Sequence, residues 1–178
     1  MTVIHPQDPT TNVLSRLYEA REDVTMRITE KCTNSEVKDA IRSAGSIMML
    51  GHGNKYGLFS IPDKESIYRR LIVNSDHVQF LRDKPCIGIW CYANEFAMHY
   101  RLYGLFSGMI ISELHEAVEN NISATKEEID SEMELFVSRL RDCIEKHDLK
   151  EVPQVMADSD YSKSELNVFN YSHLYYFE

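Results

Sequence analysis

The chain is poor in the features that assign a protein quickly. Four cysteines, at 32, 86, 91 and 143, are too few for a disulfide scaffold in 178 residues. At least two of them sit in apolar contexts, where a reduced, buried thiol is the default. No apolar run approaches the ~18 residues of a membrane span, and the opening MTVIHPQDP lacks the basic-then-apolar pattern of a secretory leader. A cytoplasmic protein with no membrane partner is expected.

Positive charge is also scarce. The 19 basic residues stand against 28 acidic ones, a net charge of −9, which repels phosphate backbones unless basic side chains gather on one face. Arg69 with Arg70, and the scattered Arg139, Arg141 and Lys146, read as solvated helix faces, so no nucleic acid partner is expected. A glycine-rich phosphate loop is missing: Gly51-His-Gly53 has neither the third glycine nor a helix opening directly after it. Cys86 and Cys91, taken with His52 or His77, lack the second cysteine pair that would make a zinc reading specific. No cofactor and no metal are expected.

What is present is an ordinary folded composition, 43% hydrophobic and 26% charged, without internal repeat or linker. The length supports one hydrophobic core, and a single domain over 1–178 is expected. Thr2 to Ile4 is β-like, and the turn-rich residues after it offer Asp8, Thr10 or Thr11 as a cap for a helix bearing Val13, Leu14, Leu17 and Tyr18. Residues 23–29 alternate as a strand does. Thr33 and Glu36 have capping-box spacing for a helix that Gly45 stops.

IMMLGHG at 47–53 and PCIGIWC at 85–91 are short, continuous apolar runs, the pattern of strands buried on both faces. Between them, 54–59 reads as a hairpin or loop, 67–73 as a strand or loop, and 75–82 as a short helix. A helix over about 94–103 and a third apolar strand over 106–112 follow. A long amphipathic helix runs from Ser123 or Thr125 to near His147, with a polar loop at 158–160 and closing β segments at 168–171 and 174–177. Alternating strands and helices predict an α/β fold with a mainly parallel central sheet flanked by helices.

Two of the core strands end in reactive side chains, His52 and Cys91, and the stretch between them is long enough for one crossover connection. Either residue alone has an ordinary explanation: a cysteine ending an apolar strand is a small buried hydrophobe, and a histidine between glycines is a turn residue. Together, at the carboxyl ends of two core strands where ligands bind in open α/β sheets, they suggest a nucleophile and its base. A histidine beside a thiol takes its proton or stabilises the thiolate. Gly53 carries no side chain, so its N–H is able to approach a substrate carbonyl as an oxyanion donor together with the N–H of Cys91.

An apolar strand ending in His-Gly, followed by an apolar strand ending in cysteine, resembles the caspase-like cysteine peptidases of clan CD, the group of caspases, legumain, gingipains, clostripain and separase. The resemblance implies a caspase-like three-layer α/β sandwich covering roughly residues 1–145 and cleavage of a peptide or protein substrate through an acyl-enzyme. It also implies His52 as general acid/base, Cys91 as nucleophile, and Gly53 with the Cys91 amide as the oxyanion hole. Ile89-Trp-Cys-Tyr-Ala93 departs from the Gln-Ala-Cys pattern of caspases proper, with a bulky Trp90 before the cysteine.

Substrate specificity has two candidates. Glu113, after the third apolar strand, is placed to receive a basic side chain, although a solvated acid or helix cap accounts for it as well. Asp8 is the second, with capping of the following helix as its other reading. The alternative to a peptidase is a catalytically silent caspase-like interaction module, for which the aromatic tail at 171–177 offers a partner surface or simply a closing strand.

Overall fold

The computed structural model describes residues 1–6, 8–61 and 70–178. In chain order it contains β1 (Thr2–Ile4), a 3-10 helix (Asn12–Leu17), β2 (Met26–Ile28), α1 (Asn34–Ser43), β3 (Ile47–Leu50), β4 (Gly53–Asn54), β5 (Gly57–Phe59) and β6 (Leu71–Val73). A 3-10 helix (Ser75–His77) runs into α2 (Val78–Leu81), followed by β7 (Cys86–Ile89), α3 (Ala93–Tyr100), β8 (Gly104–Ser107), α4 (Leu114–Glu119), α5 (Lys126–Lys146), α6 (Val152–Asp158), α7 (Glu165–Ser172) and β9 (Leu174–Phe177). Arg69 and the start of the 67–73 segment lie outside the described residues.

Six strands form one sheet in the order β2-β1-β3-β7-β8-β9. The first five run parallel, and β9 closes the β8 edge antiparallel, with Ser107 opposite Leu174. The small β4-β5-β6 sheet is antiparallel. The fold is therefore α/β with a mainly parallel, mixed six-stranded sheet flanked by helices, as the strand and helix alternation predicts.

The continuous apolar runs follow from burial on both faces. Val3, Met48, Leu50, Ile87, Ile89 and Leu105 pack on one side with the Asn12–Leu17 turn and with α5 to α7, where Phe136 and Leu140 are fully buried. Ile4, Ile47, Met49, Cys86 and Phe106 point the opposite way, onto α1, α2, α3 and the small sheet. Alternate residues of one run thus feed two cores, and a polar residue in either set would forfeit about 1.5–3 kcal/mol of burial.

Helix starts are set locally. Thr33 accepts from Glu36 N–H at 3.3 Å while the Glu36 carboxylate accepts from Thr33 N–H at 2.8 Å. Thr125 and Glu128 repeat the arrangement at α5. No helix among the described residues is long and apolar enough to cross a membrane.

Three segments differ from expectation. The third strand ends at Ser107, and residues 108–112 leave the sheet. Ile111 is buried there without a ladder, because the Asn170 side chain supplies both bonds, accepting from Ile111 N–H at 2.8 Å and donating to its C=O at 3.2 Å. Val168 to Tyr171, read as β, belongs to α7, whose Leu166, Asn167 and Asn170 are buried at helical spacing. The turn at Asn12–Leu17 is a 3-10 helix whose cap, Thr11, makes no side-chain capping bond.

Candidate active site

β3 and β7 are neighbours, parallel and in register, with Leu50 opposite Ile89. Gly51 N–H extends the ladder one step by donating to Ile89 C=O at 3.1 Å. His52 and Cys91 each lie two residues beyond that matched pair, so they leave the sheet at the same level. Both line one small cavity of about 20 Å³, walled also by Thr10, Leu14, Ile110 and Ser112. This is room for about one water molecule. A cleft of about 800 Å³ opens beside it and shares Thr10, Ser112 and Met133 as its wall.

The backbone at Cys91 is held from three sides. Ser107 is fully buried; its Oγ accepts from Trp90 N–H at 3.0 Å and donates to Trp90 C=O at 2.8 Å. Tyr92 adopts a left-handed conformation, φ 68°, which costs a non-glycine residue about 1–2 kcal/mol. Its N–H donates to Gly108 C=O at 3.1 Å, and Gly108 N–H in turn donates to His173 C=O at 2.7 Å. Strand β7 is thereby turned into α3 over three residues, Trp90 to Tyr92, and the cysteine sits in the middle of that turn.

Trp90 faces the hairpin. Its indole N–H donates to Asn54 C=O at 3.1 Å, and a Cβ at Gly53 would lie 2.2 Å from Trp90 Cδ1 and 2.6 Å from Gly57 C=O. Gly53 is opposite Leu58, flanked by the bond from Phe59 N–H to His52 C=O at 2.8 Å. That is the geometry of a non-hydrogen-bonded pair, which turns the Gly53 N–H away from β5. Since β4 is an edge strand, that N–H lies on the sheet's open side.

The Cys91 thiol is partly buried, with Glu116 Oε1 at 3.8 Å and Ile110 C=O at 3.9 Å as its acceptors. Burial, followed by the negative charge of Glu116, pushes the thiol up to about 12. Glu116 is almost fully buried; its other oxygen accepts from Ser112 N–H at 2.7 Å, Ser112 Oγ at 3.1 Å and Glu113 N–H at 2.9 Å. One oxygen is thus anchored and the other faces the sulfur.

The His52 ring approaches the loop after β1. Nε2 lies 2.7 Å from Thr10 Oγ1 and 3.7 Å from Asp8 Oδ1. Thr10 donates to that same Asp8 oxygen twice, from its hydroxyl at 2.7 Å and from its N–H at 3.0 Å. Asp8 therefore faces the histidine, and its side chain also holds the local turn by accepting from Thr10. Glu113 pairs with His115 at 3.2 Å and borders the larger cleft.

His52, Cys91, Gly53 and Asp8 are thus brought to one rim, with Glu113 at its edge. Thr10, Ser107 and Glu116 were not legible beforehand. The Ser-Glu-Leu-His-Glu spacing at 112–116 hints at a helix start, but nothing in it says that the second glutamate meets the thiol. Cys86 lies on the opposite face of the sheet, donating to Lys84 C=O at 3.3 Å. Among the described residues, no three His, Cys, Asp or Glu side chains converge as metal ligands. No protein-family model matches the chain, and no curated protein sequence matches it.

Proposed function

We propose that the chain is a cysteine peptidase of caspase-like design, with Cys91 as nucleophile and His52 as general base. The observation that carries this reading is the matched exit of the two residues from adjacent, in-register parallel strands into one cavity. In the proposed reaction His52 takes the thiol proton as sulfur attacks the peptide carbonyl carbon. The oxyanion so formed is met by the N–H groups of Gly53 and Cys91. Collapse breaks the C–N bond, His52 returns its proton to the leaving amine, and water activated by His52 hydrolyses the thioester.

A thiol pushed up to about 12 is protonated at neutral pH, so the proton leaves during attack and not beforehand. A preformed thiolate–imidazolium pair is the less favoured of the two modes by which a histidine activates a cysteine. The same thiol, together with a cavity of about 20 Å³, favours the second reading, a silent interaction module of the same design.

Iodoacetamide labelling with site mapping separates the two readings. The peptidase reading expects His52 to take the thiol proton as sulfur attacks the reagent, so that Cys91 is modified faster than Cys32 and Cys143 despite its raised thiol pKa, with the advantage lost in His52→Ala. Equal, slow modification of all three would sink it and leave the interaction module.

A further inference from the structure

We propose that Thr10 is a positioning residue that fixes His52 as the Nε2–H tautomer by relaying the charge of Asp8. The inference rests on the reading of His52 as the base, and it follows from counting protons in one short chain of contacts.

Thr10 Oγ1 carries a single proton and stands 2.7 Å from two atoms, Asp8 Oδ1 and His52 Nε2. An ionised carboxylate only accepts. If the hydroxyl donated to His52, its own lone pairs would face Asp8 Oδ1 at 2.7 Å with no proton between them. If it donates to Asp8, the contact with the ring is satisfied by Nε2–H as donor. The second arrangement has a proton in every contact.

The main chain holds the hydroxyl in this role. Thr10 N–H binds the same Asp8 oxygen at 3.0 Å, so carboxylate, amide and hydroxyl form a closed local turn from which Oγ1 projects to the ring. Asp8 itself, 3.7 Å from Nε2, is too distant for a direct hydrogen bond. The hydroxyl is therefore the link and the carboxylate its anchor. The Asp8 and His52 side chains are 17% and 19% exposed, with the more exposed Thr10 between them.

The consequence lies at the other nitrogen. In neutral His52 the Nε2–H tautomer leaves the lone pair on Nδ1, so Nδ1 is the atom that takes a proton from Cys91. When it does, the imidazolium keeps its Nε2–H on Thr10 and faces the Asp8 carboxylate. Loss of the hydroxyl frees the ring to exchange tautomers and places the proton on the working nitrogen in part of the molecules.

Two-dimensional nitrogen–proton correlation of the histidine-labelled protein, above the ring's titration, reads the tautomer directly. The expected result is Nε2–H for His52 in the wild type, a shift toward Nδ1–H or a mixture in Thr10→Val, and restoration in Thr10→Ser. Iodoacetamide modification of Cys91 should slow on the order of tenfold in Thr10→Val and recover in Thr10→Ser. Wild-type His52 in the Nδ1–H form, or an unchanged ring in Thr10→Val, overturns the proposal. The wild-type spectrum decides even if the valine variant does not fold. If His52→Ala leaves Cys91 labelling unchanged, the peptidase reading fails while the tautomer result still stands or falls by itself.

Discussion

The Trp90 indole fills the space that a side chain at Gly53 would need, with Cδ1 2.2 Å from where that Cβ would stand. The bulky residue before Cys91 and the bare residue after His52 therefore form one packing unit. The chain's need for glycine at 53 is met by sterics alone, whether or not the amide also serves an oxyanion.

Gly53→Ala should destabilise the fold by about 1–3 kcal/mol, as overpacking does, because backbone at Gly57 as well as the indole must give way. Trp90 is the single tryptophan, so its emission reports the site without labelling. A lower melting temperature together with a shifted emission maximum is expected; an unchanged spectrum and melting temperature would refute the packing argument.

Glu116→Gln should bring the Cys91 thiol down from about 12, since it removes a negative charge that opposes the thiolate. Burial remains the larger cause, so the value should stay above the ordinary 9.0. The pH dependence of iodoacetamide modification at Cys91 measures this, with the rise of the curve moving to lower pH in the variant. Identical curves for both proteins would remove Glu116 from the account.

Ser107→Ala takes the buried acceptor from the Trp90 N–H and leaves the Trp90 C=O with the Ala93 N–H at 3.2 Å. A loss of about 1–3 kcal/mol is expected, measured as a lowered urea midpoint. Ser107→Thr keeps the hydroxyl and tests whether the bonds or the volume matter. A midpoint equal to wild type in the alanine variant would show that the turn does not depend on them.

Alkaline pH should weaken the fold. Cys86 and Cys91 are both pushed from 9.0 up to about 12 by burial in the folded state. The folded protein then holds these protons more tightly than the unfolded chain. Their contribution is fully present below about pH 9 and is lost as pH rises toward 12. Urea midpoints from pH 8 to 11 should fall, and the fall should be shallower in Cys86→Ala. Parallel slopes in the two proteins would contradict the assignment.

The two reactive strands could be read from the chain because burial on both faces leaves a continuous apolar run, as at Ile47 to Leu50 and Cys86 to Ile89. Their adjacency could only be inferred, because register is a property of the pair: one step of slip would put His52 and Cys91 at different levels. Segment 108–112 misled because Ile110 and Ile111 are as apolar as any strand, yet the Ile111 backbone is served by a side chain from α7. Val168 misled because β-branched and aromatic composition is a weak prior that tertiary packing overrides. Thr10, Ser107 and Glu116 reach their partners across 42, 17 and 25 residues, separations at which local patterns carry no information.

The carboxyl-terminal strand has a reach beyond its own edge of the sheet. β9 pairs with the strand that carries Ser107, and His173, just before it, is two hydrogen bonds from the residue after Cys91, through Gly108 and Tyr92. The last residues of the fold act on the thiol as a tether acts on a distant weight. A protease that clipped the chain near His173 would slacken the Cys91 turn without touching the cysteine.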